Sequence, residues 1–165
     1  MPGAPITLRR GSAADAAPAA DLWLRARAAA AATGAIPPPA HDDADVRAWF
    51  AGHVIPHTAL WLAEVGGTLA GLLVLDGDGV DQLYVDPALT GRGIGSALLA
   101  RAKEQSPAGL QLWTFAANAG ALRFYARHGF AEIRRTDGRA NEERAPDVLL
   151  KWAPQTTGAR RAAFD

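Results

Sequence analysis

The sequence predicts an α+β fold in which a mixed sheet is covered by helices. Three observations carry that expectation. A glycine-rich hairpin signal joins two strand-like runs after residue 58, and a second turn leads into a third run. Two amphipathic helical runs then alternate with strands. The resulting order is strand, two helices, three strands, helix, strand, helix, two strands. Meandering hairpins followed by crossover helices suit a sheet with helices packed on its faces.

The elements follow in order. "ITLRR" alternates as a short strand does. In "GSAADAAPAADLWLRARAAAAA", Ser12 is a candidate N-cap, acids come early and Pro18 falls near the first turn, so the spacing predicts a helix to about Ala32. "TGAIPPPAHDD" breaks it, because Pro37 to Pro39 cannot lie inside a helix. Asp42 or Asp43 then caps "ADVRAWFAGHV", which Pro56 is expected to close. "ALWLAEV" and "TLAGLLVLDGD" read as strands joined by Gly66-Gly67, since tight hairpin turns need positive φ. "DGDG" turns the chain into a third strand, "VDQLYVDP". "IGSALLARAKEQS" is helical and ends before Pro107, "GLQLWTF" is a strand, and "NAGALRFYARHGF" is a helix. Gly129 stands where a left-handed C′ residue belongs, with Phe130 as its apolar partner. "AEIRRTD" and "PDVLLKW" are the last strands, around the polar loop "GRANEER". Residues 1–152 are expected to form one domain and 153–165 a flexible tail.

Composition narrows the function classes. An apolar fraction of 49% with 21% charged residues is that of a soluble globular protein. The formal net charge of zero gives no global field toward nucleic acid or an anionic membrane. There is no cysteine, which removes disulfides, thiolate metal sites and cysteine nucleophiles together. "MPGAPITLRRGS" has no apolar signal core, and a cytoplasmic protein is expected. "HVIPH" sets His53 and His57 four apart, but Pro56 interrupts them and no third ligand is near, so they read as surface histidines. "DGDGVD" lacks the later ligands of a calcium loop and reads as a turn.

The segment "LYVDPALTGRGIGSALL", Leu83 to Leu99, holds the densest chemistry. It fails the nucleotide P-loop, since no lysine follows the glycines, and the dinucleotide fingerprint, since Ser96 stands where a glycine is needed. Two readings remain: a bare strand-to-helix turn, or an anion cradle. The helix N-terminus at Ile94 and the mobile charge of Arg92 favour the anion.

Joined to "NAGALRFYARHGF", this segment resembles the GNAT superfamily of N-acetyltransferases. The family pairs a strand, a [QR]xxGx[GA] loop and a helix with a downstream NxxAxxFYxxxGF block, and the second block is complete here from Asn118 to Phe130. The first departs at one place: Thr90 occupies the position of the family's Gln or Arg. The resemblance spans Ile6 to Trp152. It implies a GNAT-like mixed, mostly antiparallel central sheet flanked by helices, acetyl-CoA as cosubstrate, an amine acceptor, and a fold that often dimerises. The zero net charge and the lack of a long apolar run give the expectation of no nucleic-acid partner and no membrane.

Position by position, the resemblance implies that the backbone of the Leu83–Tyr84–Val85 strand, through Leu83 and Val85, pairs with the pantetheine arm. The amides of Gly91, Arg92, Gly93, Ile94, Gly95 and Ser96 would cradle the pyrophosphate. Asn118 would reach the pantetheine or the departing thiol, and Tyr125 would be the general acid. The alternative is a GNAT-like acyl-CoA sensor without turnover.

The chemistry is consistent on its own terms. Acyl transfer from a thioester needs a neutral amine, a donor for the oxyanion and a proton for the leaving thiolate. A phenol of pKa ~10 protonating a thiolate of conjugate-acid pKa ~8.5 runs uphill by about 2 kcal/mol. Asn118, Leu122 and Tyr125 are expected on one helix face, though an aromatic core stripe is the rival reading of "RFYARHGF". Phe124 and Phe130 are expected in the core. Asp81 is the first candidate for the base, and Glu132 the second. Trp23, Trp49, Phe50 and Trp61 read as core anchors. In GNAT-like folds the first two helices and their linker often wall the acceptor site. "AIPPPAHDD", with His41, Asp42 and Asp43 drawing a cationic amine, is therefore expected to form one wall, and "DGRANEER" the other.

Overall fold

The alternation of apolar side chains in the two central strands organises the molecule. In β2 (Ala59–Val65), Leu60 and Leu62 point to one face and Trp61 and Ala63 to the other. In β3 (Thr68–Asp76), Leu72 and Val74 share the first face, Leu73 and Leu75 the second. A strand buried on both faces reads as an unbroken apolar run, which is how both segments look.

The structure, a computed structural model, describes residues 3–155. The remaining elements are β1 (Ile6–Arg10), α1 (Ala16–Ala32), α2 (Asp43–Trp49), α3 (Ile55–His57), β4 (Gly79–Val85), α4 (Ile94–Gln105), β5 (Leu110–Phe115), α5 (Ala119–Arg127), β6 (Ala131–Thr136) and β7 (Asp147–Trp152). The tail expected beyond residue 152 lies, from 156 on, outside the described residues. Among the described residues no helix is long and apolar enough to cross a membrane.

Seven strands form one sheet in the order β1-β2-β3-β4-β5-β7-β6. Every neighbouring pair is antiparallel except β4 and β5. One face carries α1 and α2, with Leu22, Phe50 and Val54 fully buried against β2 and β3. The other carries α4 and α5, where Ile94, Leu98 and Leu99 pack with Tyr125 and Phe130. Each fully buried side chain of this size contributes about 1.5–3 kcal/mol. Both helical layers are therefore held by the sheet, and the mixed, mostly antiparallel expectation is met.

Helix boundaries show how local chemistry acts. Ser12 begins a short 3-10 turn (Ala13–Asp15) ahead of α1, and the Asp15 carboxylate accepts the Ser12 N–H at 2.8 Å. Asp42 is the cap of α2: its Oδ1 accepts the Asp45 N–H at 2.8 Å, and Asp43 is the first helical residue. Pro56 does not close the second helix where the sequence suggested. The chain passes through a π turn (Phe50–Val54), in which the Ile55 N–H bonds the Phe50 carbonyl, and continues as α3 to His57. The wider turn accommodates a ring that an α turn would reject.

Candidate active site

The parallel pair β4–β5 is joined at a single rung, Gly79 opposite Gln111. There the Gln111 N–H donates to the Asp78 carbonyl at 3.0 Å. Beyond that rung the strands part, and a narrow cleft of about 100 Å³ opens between them. The Asp86 N–H bonds Ala70 of β3, so by alternation the N–H and C=O groups of Leu83 and Val85 turn toward the cleft. Tyr84 alternates the other way: its hydroxyl accepts from Arg27, and burial raises its pKa.

At the open end the chain makes the glycine loop. Gly91 and Gly93 adopt φ of 78° and 80°, and a Cβ at either would meet nothing within 4 Å. Backbone conformation, not crowding, therefore demands glycine at both. Gly93 is the N-cap of α4, which leaves the first amides of that helix without intrahelical acceptors. Arg92 is exposed beside them. Ser96 is half-buried, its Oγ 3.1 Å from His128 Nε2. Gly95 lies against Phe124, where an added Cβ would stand 3.4 Å from the ring. Thr90 lies at the loop's start with its hydroxyl 3.5 Å from the Pro87 carbonyl.

Tyr125 lines the cleft from α5, together with Asn118 and Ala121. Asn118 is the N-cap of α5, its Oδ1 accepting the Ala121 N–H at 3.1 Å. That leaves its amide NH₂ as the group able to serve a ligand. Ala121 is the third cleft-lining position of this segment, and Leu122, next to it in the chain, packs against the core. A Schellman corner ends α5: Phe130 N–H bonds the Tyr125 carbonyl, Gly129 N–H the Ala126 carbonyl, and the Tyr125 and Phe130 rings lie 5.4 Å apart. Gly129 and Phe130 thus play their expected parts, and they hold Tyr125 at the cleft. Burial pushes the Tyr125 phenol well above its ordinary pKa, with the nearby Tyr84 adding to the effect. It is a cleft-lining residue and a core residue at once.

Asp81 is the extra residue of a β-bulge in β4, because Val74 pairs with Gln82 while Leu75 pairs with Val80. Bulges re-aim side chains, and this one sets Asp81 at the mouth of the cleft. Asp81 is exposed as a residue, yet the protein packed around its carboxylate partly desolvates it and raises its pKa, aided by Asp76 and opposed by Gln82 and His53. Glu132 is not at the site. It is exposed on the edge strand β6 and paired with Arg135, which lowers its pKa.

Asp81 and Gln82 also line a second, larger cavity of about 400 Å³. Trp23 and Arg27 of α1 and Trp49 of α2 form its floor and side, His41 one lip, and Glu142 and Glu143 the other. The linker after α1 and the loop before β7 therefore face each other across it. His41 Nε2 lies 3.0 Å from Glu142 Oε2, which raises the His41 pKa. Asn141 ties its own loop, donating to the Ala145 carbonyl at 2.7 Å and to Asp147 at 3.1 Å. Trp23 Nε1 donates to Gln82 Oε1 at 2.8 Å, which fixes the floor against β4. Asp42 and Asp43 do not line this cavity, since the cap holds Asp42 and Asp43 begins the helix. Asp45, one turn on, takes their place. Arg27 and Gln82 were not singled out from sequence. The available signal was the i, i+4 pairing of Arg27 with Trp23, which puts a cation on an apolar helix face. Trp23, Phe50 and Trp61 are buried, as expected of core anchors, and Trp49 is half-buried at the cavity.

Residues 25–130, from α1 to the Schellman corner, match the acetyltransferase (GNAT) family. The chain belongs to that family. The GNAT match contains the glycine loop, the bulged strand and the Tyr125 helix together. Among curated relatives, the chain is similar to an uncharacterized N-acetyltransferase of Methanocaldococcus jannaschii, 40% identical over 57 residues. That match covers 32% of this chain and 25% of the relative. It is also similar to the peptidyl-lysine N-acetyltransferase YjaB of Salmonella typhimurium, 32% identical over 84 residues, or 50% of this chain and 57% of that one. The chain thus spans between a quarter and somewhat over half the length of these two relatives. The fold is shared with YncA from Salmonella typhimurium, solved with its cofactor acetyl-CoA. The TM-score is 0.69 and identity 20%, over 96% of this chain and 99% of that one. Acetyl-CoA is the cosubstrate of GNAT proteins, and amines are their acceptors.

Proposed function

We propose that residues 1–152 form one acetyltransferase domain that moves an acetyl group from acetyl-CoA to a primary amine by direct attack. The observation that carries this is the meeting of two cavities at Asp81 and Gln82: a narrow cleft bearing Tyr125 and a wider pocket rimmed by carboxylates. The residues present suit the cosubstrate. The cleft-facing edges of Leu83 and Val85 offer strand-like hydrogen bonds to an amide-bearing arm. The amides of Gly91 to Ser96 and the side chain of Arg92 offer donors to a diphosphate. Asn118 offers an amide NH₂ beside the thioester end.

Asp81 takes a proton from the acceptor ammonium, directly or through water, and its raised pKa makes it the stronger base for that step. The neutral nitrogen forms a C–N bond to the thioester carbon. As the C–S bond breaks, its electron pair goes to sulfur and Tyr125 gives the thiolate its proton. The proton shed by the new amide nitrogen restores the phenol, and Asp81 releases its own to solvent. Burial makes Tyr125 a weaker acid than the free phenol, so its transfer is further uphill than the ordinary pKa values suggest. The same apolar surroundings raise the pKa of the departing thiol, which narrows the gap again.

A thiol-release assay with acetyl-CoA and a panel of primary amines tests the reading. Turnover with at least one amine supports it. Coenzyme binding with no thiol released from any amine supports a sensor instead.

A further inference from the structure

Arg27 is the one buried charged residue among those described, 9% exposed in the fourth turn of α1. It lines the 400 Å³ pocket with few partners of its own. Its Nη1 reaches the Tyr84 hydroxyl at a long 3.4 Å, its Nη2 stands 3.9 Å from Glu143 Oε1, and its Nε has no partner. The ring of Trp23, 4.8 Å from the guanidinium carbon, supports the cation without accepting a hydrogen bond. Five N–H donors are thus served by one long hydrogen bond and one ion pair beyond hydrogen-bonding reach. A buried guanidinium so poorly satisfied is costly unless something else completes it.

Charge in the pocket is unevenly spread. Arg27, with Glu143 3.9 Å away, sits in the floor, while Asp45, Asp81 and Glu142, the last clasped by His41, lie around the exposed rim, and Asp81 is also the link to the cleft. A purely cationic acceptor, such as a polyamine or a lysine side chain, would satisfy the rim yet bring a second positive charge toward Arg27. An acceptor carrying a carboxylate a few bonds from its amine satisfies both. Its carboxylate meets the planar guanidinium fork in the two-pronged geometry such pairs favour, and its ammonium falls among the rim carboxylates. A pocket of this volume suits a small molecule.

We propose that the acceptor is a free amino acid or a close zwitterionic analogue, with Arg27 as the carboxylate-binding, specificity-determining residue. This rests on the acetyl-transfer reading above. It assigns Arg27 to acceptor binding and the Asp81 end of the pocket to the amine. The 3.9 Å contact with Glu143 gives way to the acceptor carboxylate, because a direct charge-assisted pair is stronger than a separated one.

The test compares free amino acids with their carboxamides, alongside spermidine and a lysine-containing peptide, in the thiol-release assay with the full chain. The native protein is expected to turn over at least one free amino acid, with kcat/KM about 100-fold above its carboxamide, the loss typical of truncating one side of a buried charge pair. Arg27→Gln is expected to abolish that discrimination by slowing the acid and leaving the amide within a few-fold, with acetyl-CoA affinity unchanged by calorimetry. Arg27→Lys is expected to restore part of it. Equal rates on acid and amide in the native protein, or preference for spermidine or the peptide, overturn the proposal. So does a folded Arg27→Gln variant that slows acid and amide alike. If Arg27→Gln does not fold, the acid-to-amide ratio of the native protein decides alone. Coenzyme binding without thiol release from any amine removes the transfer reading itself and this proposal with it.

Discussion

The two cavities that meet at Asp81 are built in opposite ways. The cleft between β4 and β5, with the glycine loop at its end, offers mostly main-chain groups from one continuous stretch, Leu83 to Ser96, plus α5. The wider pocket offers side chains brought together from α1, the following linker, α2, β4 and the loop before β7; its His41–Glu142 clasp joins residues 101 positions apart. On the proposed reading, main-chain donors would recognise the cosubstrate that the family shares, and side chains gathered from distant segments would decide what is particular to this protein. A chain can therefore keep its donor chemistry while changing its acceptor one residue at a time.

That contrast can be broken or sharpened experimentally. The largest effect is expected at the junction. Removing only the hydroxyl in Tyr125→Phe should lower kcat about 100-fold or more, the usual range for a lost general acid, with acetyl-CoA affinity and thermal stability little changed. Unchanged kcat would make Tyr125 a core residue only. Next, Asp81→Asn should lower kcat/KM about 100-fold near neutrality. In the native protein, activity should rise with pH through an apparent pKa above the ordinary aspartate value of about 3.9, since the base works only when ionised and its pKa is raised. If that limb survives in the asparagine variant, the base lies elsewhere.

On the main-chain side, Gly93→Ala forces a side chain into φ of 80°. It should raise the KM for acetyl-CoA roughly tenfold while leaving the acceptor KM unaltered, given a left-handed penalty of about 1–2 kcal/mol. A change confined to the acceptor KM would contradict the assignment of the two cavities. The smallest effect on catalysis is expected at Asp42→Ala. Loss of its cap should cost about 1 kcal/mol of stability by denaturant titration and leave both KM values within twofold. A large rise in acceptor KM would return Asp42 to the pocket.

The same contrast explains what the sequence made legible. The strand, loop and helix from Leu83 to Leu99 and the block from Asn118 to Phe130 are contiguous, so their spacing carried the donor side and the order of elements. Asp42 and Asp43 were indistinguishable as caps, because either could bond two or three residues on; only the Asp45 N–H contact chooses. Pro56 was misleading because a π turn is a tertiary accommodation with no local signature. Asp81 was the first candidate base from sequence, but the bulge in β4 that sets it at the cleft has no signature in the strand pattern itself. Arg27 was hidden in an alanine-rich helix, and its meaning depends on Tyr84 and Glu143, far away in the chain.

The single rung between β4 and β5 has a thermodynamic consequence. A sheet that opens along an internal seam leaves peptide groups of β4 without the neighbour that a strand in mid-sheet normally has. On the proposed reading, the cosubstrate supplies that neighbour and binds the folded state alone. At a concentration 100 times its Kd it would add about 2.7 kcal/mol to the folding free energy. On that reading, acetyl-CoA would set the folding stability of the protein as well as its rate.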